Sequence, residues 1–297
     1  MRLALLALLL PSVLPAQTTH ALIVGGVSGE PRIAQQIERD VELMRDGLSK
    51  RFNATTVVLT EKTTPRSEKT AITQALSKLT SDTKAGDQVL IVLVGHGSAQ
   101  GGEARFNIPG PDITASELSQ ALSSLQGREI AVVVATSSSG AFLEPLSGSG
   151  RVVLTATKSG AQHEEVVFAQ HFAKALSEDV ADINKDGGVS IAEAFEYTKR
   201  EVARFYQQQN RIATEAATLN GATADQFVLR ASSSKAADPA LRALYAERDN
   251  IQKQIAQLKE RKATMAADAY EKELEQLLVQ LAVKERQIRA AEQKDDQ

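Results

Sequence analysis

Short apolar runs alternate with apolar residues at helical spacing along residues 21–209. Residues 21–26 (ALIVGG), 55–59 (TTVVL), 88–94 (QVLIVLV), 129–135 (EIAVVVA) and 151–156 (RVVLTA) have strand length and are rich in β-branched residues. Apolar runs without polar alternation suit strands buried on both faces. Between them, residues 31–52 place Ile33, Ile37, Val41, Leu43, Met44 and Leu48 on a helical stripe. Residues 67–79, 114–125, 168–176 and 191–209 also read as helices, with Thr114 or Ser116 near the cap of the second. Alternating strands and helices predict a doubly wound α/β sheet. Ligands of such sheets sit beyond the carboxyl ends of the strands. That rule puts two segments on one rim: Gly95-His96-Gly97-Ser98 and Thr136-Ser137-Ser138-Ser139-Gly140.

The pattern changes after residue 230. A Ser/Ala-rich stretch at 231–238 reads as a linker, and Pro239 opens a helix in its first turn. Leu241, Leu244, Ile251, Ile255 and Leu258 form one stripe, which Arg248 interrupts. Tyr270, Leu274, Leu277, Leu281 and Ile288 form a second, and Asp268 with Glu271 makes a cap signal between them. Residues 239–297 therefore predict an antiparallel coiled-coil hairpin, with one continuous helix as the alternative. The hairpin offers a surface for self-association or for a partner. At the other end, residues 1–16 carry Arg2, the apolar run 3–10, Pro11, Pro15 and Ala16. That is the layout of a signal peptide, too short in its apolar part to span a bilayer. It predicts a secreted or periplasmic protein with no membrane span after signal removal.

Composition narrows the chemistry. A formal charge of -3 gives no basic field for nucleic acid. Cysteine is absent, so disulfides, thiolate metal sites and Cys nucleophiles are excluded. No zinc-type spacing joins the histidines; His20 carries no signal, and His163 and His171 read as ordinary surface or packing residues.

Residues 182–193 (DINKDGGVSIAE) follow the EF-hand calcium loop. Asp182, Asn184, Asp186, Ser190 and Glu193 stand at ligating positions 1, 3, 5, 9 and 12. Gly187 takes the sharp turn at position 6, Gly188 ligates through its carbonyl, and Ile191 supplies the apolar packing residue. Calcium is the predicted cofactor. The alternative is a polar turn that caps the helix starting near Ser190.

The order strand–Gly-His-Gly-Ser, then strand–Ala135-Thr136-Ser137-Ser138-Ser139-Gly140, resembles the legumain and caspase-like cysteine peptidases. His96 precedes Ser137 by roughly 40 residues, in keeping with a His roughly 50 residues upstream of the caspase Cys. The stretch 150–160 (GRVVLTATKSG), the calcium-type loop and Glu193-Ala194-Phe195-Glu196-Tyr197 also look like the bacterial legumain-like proteins. The resemblance covers about residues 20–230 and implies a caspase-like three-layer sandwich with a mostly parallel sheet, followed here by the helical hairpin. It places catalytic roles on His96 and Ser137. It also implies a pocket among Gly25-Gly26, residues 136–138 and residues 157–160. A bound peptide would add a strand beside residues 151–156.

Ser137 stands where the family has its Cys. A thiol is already partly thiolate at neutral pH, whereas a hydroxyl needs a base bonded to it. No Gly-x-Ser-x-Gly elbow is present. The chain therefore reads as a peptidase homologue that binds a peptide or protein without cutting it. The alternatives are a hydrolase using Ser137 and His96, a structural module working through its hairpin, and a plain turn in which the serines only cap a helix.

Overall fold

The protein is described by a computed structural model that covers residues 17–184, 186–230 and 239–295. The signal-peptide and linker readings fall on residues 1–16 and 231–238, outside the described residues. In chain order the elements are β1 (Thr19–Gly25), α1 (Pro31–Asp46), β2 (Thr55–Leu59), α2 (Lys69–Asp82), β3 (Gln88–Gly95), β4 (Gly97–Gln100), β5 (Glu103–Phe106) and β6 (Ile113–Thr114). There follow α3 (Ala115–Leu122), β7 (Glu129–Thr136), α4 (Leu143–Leu146), β8 (Arg151–Thr155), α5 (Phe168–Ser177), β9 (Gly188–Ser190) and α6 (Ile191–Gln208). The last elements are β10 (Thr218–Asn220), β11 (Val228–Arg230), α7 (Pro239–Glu260) and α8 (Ala267–Asp295).

The main sheet has the order β10-β8-β7-β3-β1-β2, parallel except for β10. The inner strands β1, β3, β7 and β8 are buried on both faces, which is why they read as unbroken apolar runs, whereas the edge strands β2 and β10 are partly exposed. The pleat divides each run between two cores. Ala21, Ile23, Leu90, Val92, Ala131 and Val133 pack with Ile37, Val41 and Met44 of α1 and with α5 and α6. Leu22, Val24, Val89, Ile91, Ile130 and Val132 pack with Ile72, Leu76 and Leu79 of α2 and with Leu118 and Leu122 of α3. The result is the expected three-layer α/β sandwich with a mostly parallel sheet.

The differences from the sequence reading are local. The stripe over 31–52 is not one α-helix, because α1 gives way to a π-turn at Gly47–Arg51. Thr114, not Ser116, caps α3: its hydroxyl accepts from the Glu117 amide, while Glu117 accepts from the Thr114 amide. Asp268 is not a cap but sits inside the first turn of α8, where a carboxylate meets the positive helix end.

The two C-terminal helices pack antiparallel. Ile251, Ile255 and Leu258 of α7 meet Tyr270 and Leu277 of α8, with Leu274 and Leu281 partly buried at the margin. Further along, Tyr245 meets Ile288. Glu247 pairs with Lys284 across the same two helices, and Arg261, just past the end of α7, pairs with Glu273 of α8 at 3.1 Å. No described helix is long and apolar enough to cross a membrane.

Candidate functional site

Parallel register carries the rim. Gly95 at the end of β3 pairs with Thr136 at the end of β7. His96 and Ser137 are therefore the next residues on neighbouring strand ends. After His96 the chain leaves through the β4–β5 hairpin, and the His96 carbonyl accepts from the Asn107 amide at 3.0 Å. The Ser137 hydroxyl is engaged entirely by the backbone of Gly97. It accepts from the Gly97 amide at 3.2 Å and donates to the Gly97 carbonyl at 3.0 Å. No hydrogen bond joins the His96 and Ser137 side chains. Gly97 is required for this approach, since a Cβ there would lie 2.7 Å from both the Ser137 carbonyl and the Thr136 hydroxyl.

The next serine has a different environment. Ser138 is fully buried and takes a left-handed conformation, φ 53 and ψ 13, between β7 and the 3₁₀ turn at Ser139–Phe142. That conformation is uncommon for a residue with a side chain. Its hydroxyl lies 2.9 Å from Nδ1 of His163, and its amide donates to the Gln162 carbonyl at 2.7 Å. Ser139 is locked to Thr157 through both hydroxyls at 3.1 Å and through the Thr157 amide at 2.9 Å. The structure thus brings residues 157–163 onto the serine turn. The sequence reading set His163 aside as an ordinary surface or packing residue. Its one available signal was its place after β8, a strand ending on the same rim. His171 stays a packing group: it is buried, its ring meets Phe205 edge-on at 6.2 Å, and burial holds its pKa below the usual histidine value.

The edge proposed for a bound peptide is already filled. β10 runs antiparallel to β8, pairing Thr218 with Thr155, Leu219 with Leu154 and Asn220 with Val153. The strand-addition reading beside residues 151–156 is therefore corrected, because the chain supplies that strand itself. Three residues, Thr-Leu-Asn, are too short to signal a strand in sequence.

The acidic loop lies between α5 and α6. Asp182 accepts from the amides of Asp186 at 3.1 Å and Gly187 at 3.0 Å. Asn184 Oδ1 accepts from the Asp186 amide at 2.9 Å, and Asp186 Oδ1 accepts from the Gly188 amide at 2.9 Å. Glu193 is divided between two tasks. Oε1 accepts from the amides of Ile183 and Asn184 at 3.2 Å, while Oε2 accepts from the Ser190 amide at 2.9 Å and its hydroxyl at 2.8 Å. Ser190 and Glu193 form a capping box at the start of α6. Burial raises the Asp182 pKa, and the nearby Asp186 and Glu193 charges add to that. Val189 pairs with Leu229, and the buried Ile191 donates its amide to the Phe227 carbonyl, so this loop packs onto β11.

The donors are all oxygens, the chemistry calcium selects. A cationic group also stands in the loop: Arg248 of α7 donates from Nη2 to Asp186 Oδ2 at 2.7 Å, and both side chains are buried. With Asp186 held by Arg248 and Glu193 turned onto the α6 cap, the carboxylates do not converge. Among the described residues no three acidic or histidine side chains are placed to hold a metal ion. A cavity of about 730 Å³ adjoins this pair, bounded by Asp186, Glu193, Asp225, Arg248, Ile255 and Leu281. It lies at the junction of loop and hairpin, away from the His96–Ser137 rim.

No protein-family model matches the chain, and no curated protein matches it by sequence. Among solved structures, it is similar to a Geobacter sulfurreducens protein solved as a structural-genomics target. That match has 9% identity and a TM-score of 0.47, and spans 68% of this chain and 92% of the other. It is also similar to caspase-1 from Spodoptera frugiperda, with 10% identity and a TM-score of 0.47, over 69% of this chain and 86% of that one. The α/β fold class rests on the sheet topology described above.

Proposed function

We propose that this is an exported, peptidase-like α/β protein that binds a peptide or protein partner without hydrolysing it, and that takes up calcium in its acidic loop. One observation carries the non-hydrolytic part. The Ser137 hydroxyl donates its proton to a backbone carbonyl and accepts from a backbone amide, so both roles are filled within one residue, Gly97. Acyl transfer by serine needs a base that takes that proton. His96 makes no bond to it.

For calcium, the side-chain oxygens of Asp182, Asn184, Asp186, Ser190 and Glu193 and the carbonyl of Gly188 would hold the ion. Calcium would supply charge neutralisation for three carboxylates and a rigid link between α5 and α6. The oxygen-only donor set of residues 182–193 and its match to the EF-hand loop positions support this reading. The signal-like pattern of residues 2–16 supports export.

A second reading takes the Ser138–His163 pair as a hydrolytic dyad, favoured by the 2.9 Å contact and the left-handed backbone at Ser138. Against it, Ser138 has no exposed surface and its amide is already committed to Gln162. The deciding experiment assays a Ser137→Cys variant on a peptide library beside wild type. Cleavage by the thiol variant alone, lost again on His96→Ala, supports a binding rim that has lost its nucleophile. Equal cleavage by wild type, abolished by His163→Ala, supports the dyad instead.

A further inference from the structure

Arg151, the first residue of β8, carries a charge that no carboxylate answers. Its guanidinium forms no ion pair among the described residues. Its one side-chain hydrogen bond there is long, from Nη1 to the Leu146 carbonyl at 3.4 Å. Burial holds its pKa below the usual arginine value, with no acidic neighbour to oppose the shift. Arg32 and Arg45, by contrast, pair with Glu165 and Asp46. Withdrawing a guanidinium from water without a counter-charge is unfavourable. Arg151 lines a cavity of about 170 Å³ between two loops, residues 147–150 before β8 and residues 220–223 after β10.

The lining of this cavity includes Arg151 and no acidic side chain. The amides of Gly148, Ser149 and Gly150 and the hydroxyls of Ser149 and Thr223 make no hydrogen bond among the described residues. Asn220 Nδ2 donates to Ser147 Oγ at 2.8 Å and ties the two walls together. The walls also approach closely at Gly221, where a Cβ would lie 2.8 Å from the Arg151 carbonyl. We propose that this cavity binds a phosphate group, held by the Arg151 guanidinium and by the free donors of the 147–150 loop. A guanidinium fork and successive free amides are the donors that hold oxyanions. The volume suits one small oxyanion and falls below the about 300–1,000 Å³ of pockets that enclose drug-sized ligands. A phosphomonoester would therefore enter by its phosphate alone. β8 runs parallel to β7 with Arg151 beside Ile130, so the cavity lies at the opposite end of the sheet from His96 and Ser137. The inference is independent of the rim and of the acidic loop.

The test titrates inorganic phosphate calorimetrically, in chloride buffer, into the full-length protein and into Arg151→Gln, Arg151→Lys and Ser149→Asp. Wild type should bind phosphate at a single site. Arg151→Gln should bind it about 10-fold or more weakly, the loss expected when a hydrogen bond to a charged group is removed. Arg151→Lys keeps the charge without the fork and should fall between them. Ser149 is exposed, so Ser149→Asp leaves the core packing untouched and guards against a folding defect in the arginine variants. It sets a carboxylate at the cavity to pair with Arg151, and binding should be lost. Phosphate should likewise raise the melting temperature of wild type and leave that of Ser149→Asp unchanged. A parallel titration with O-phosphoserine separates two sources of the same group. Affinity at least equal to that for phosphate supports a phosphomonoester, and weaker affinity supports the free ion. No phosphate binding by wild type, or wild-type affinity retained in Arg151→Gln or in Ser149→Asp, overturns the proposal.

Discussion

Ser138 Oγ lies 2.9 Å from His163 Nδ1, whereas Ser137 Oγ, one residue earlier, bonds only to the backbone of Gly97. Adjacent hydroxyls point into different networks because the left-handed turn at Ser138 redirects the chain. Glycine takes that conformation without steric cost, but loses the bond to His163. Ser138→Gly should therefore stay within about 1 kcal/mol of wild type in urea unfolding. Ser138→Val puts a branched side chain into the same conformation with no open space around it, and should lose about 2 kcal/mol or more. Equal stabilities for the two variants would show that the turn is not strained.

Asp40 gives the fold a pH dependence. It is buried on α1, with Gln36 Nε2 donating to it at 2.7 Å, and burial pushes its carboxyl up to about 7 from an ordinary 3.8. The folded state therefore holds the proton more tightly than the unfolded chain. Its contribution is free of cost below about pH 4. It becomes increasingly unfavourable as pH rises toward 7, reaching at most about 4 kcal/mol. Asp40→Asn should remove that slope, with its advantage over wild type growing from pH 4 to pH 8. Parallel pH profiles of the urea midpoint for the two proteins would contradict this.

Calcium should raise the melting temperature, since a ligand bound only by the native state adds about 2.7 kcal/mol at 100-fold saturation. Glu193→Gln separates metal binding from helix capping. Gln also completes a capping box at this position, but lacks the charge of the twelfth-position ligand. The variant should keep its melting temperature in chelator and lose most of the calcium increment. An increment equal to that of wild type would remove Glu193 from the ligand set.

In the hairpin, the seam centres on Leu258, which is fully buried, and Leu277; Leu274 and Leu281 lie at its margin. Leu258→Ala should cost about 2–5 kcal/mol. The expected sign is an early helical transition in far-ultraviolet circular dichroism, ahead of the sheet domain. A single unshifted transition would place the seam elsewhere.

The sheet was legible because β1, β3, β7 and β8 are buried on both faces and appear as plain apolar runs, and the edge strand β2 is still rich in β-branched residues. The remaining parts were not. β4 and β5 read Gly-Ser-Ala-Gln and Glu-Ala-Arg-Phe, which carry no clear period, and β10 is three residues long. At the rim, strand ends located His96 and the serines. Which serine meets which histidine depends on the turn at 157–163 folding back, and that depends on Gly140, whose added Cβ would lie 2.2 Å from the Ser159 amide nitrogen. Arg248 was visible only as a break in a stripe. Its reason for being there lies in a segment 62 residues away, and single-segment patterns do not report such pairs.

The central claim is that the Ser137 hydroxyl is held by Gly97 and is not a nucleophile. The most direct measurement treats purified wild type with a labelled fluorophosphonate and, in parallel, follows hydrolysis of a peptide library, with Ser137→Ala and His96→Ala as controls. The account predicts no labelling above Ser137→Ala and no turnover. Labelling and turnover in wild type that both vanish in Ser137→Ala and in His96→Ala would contradict it.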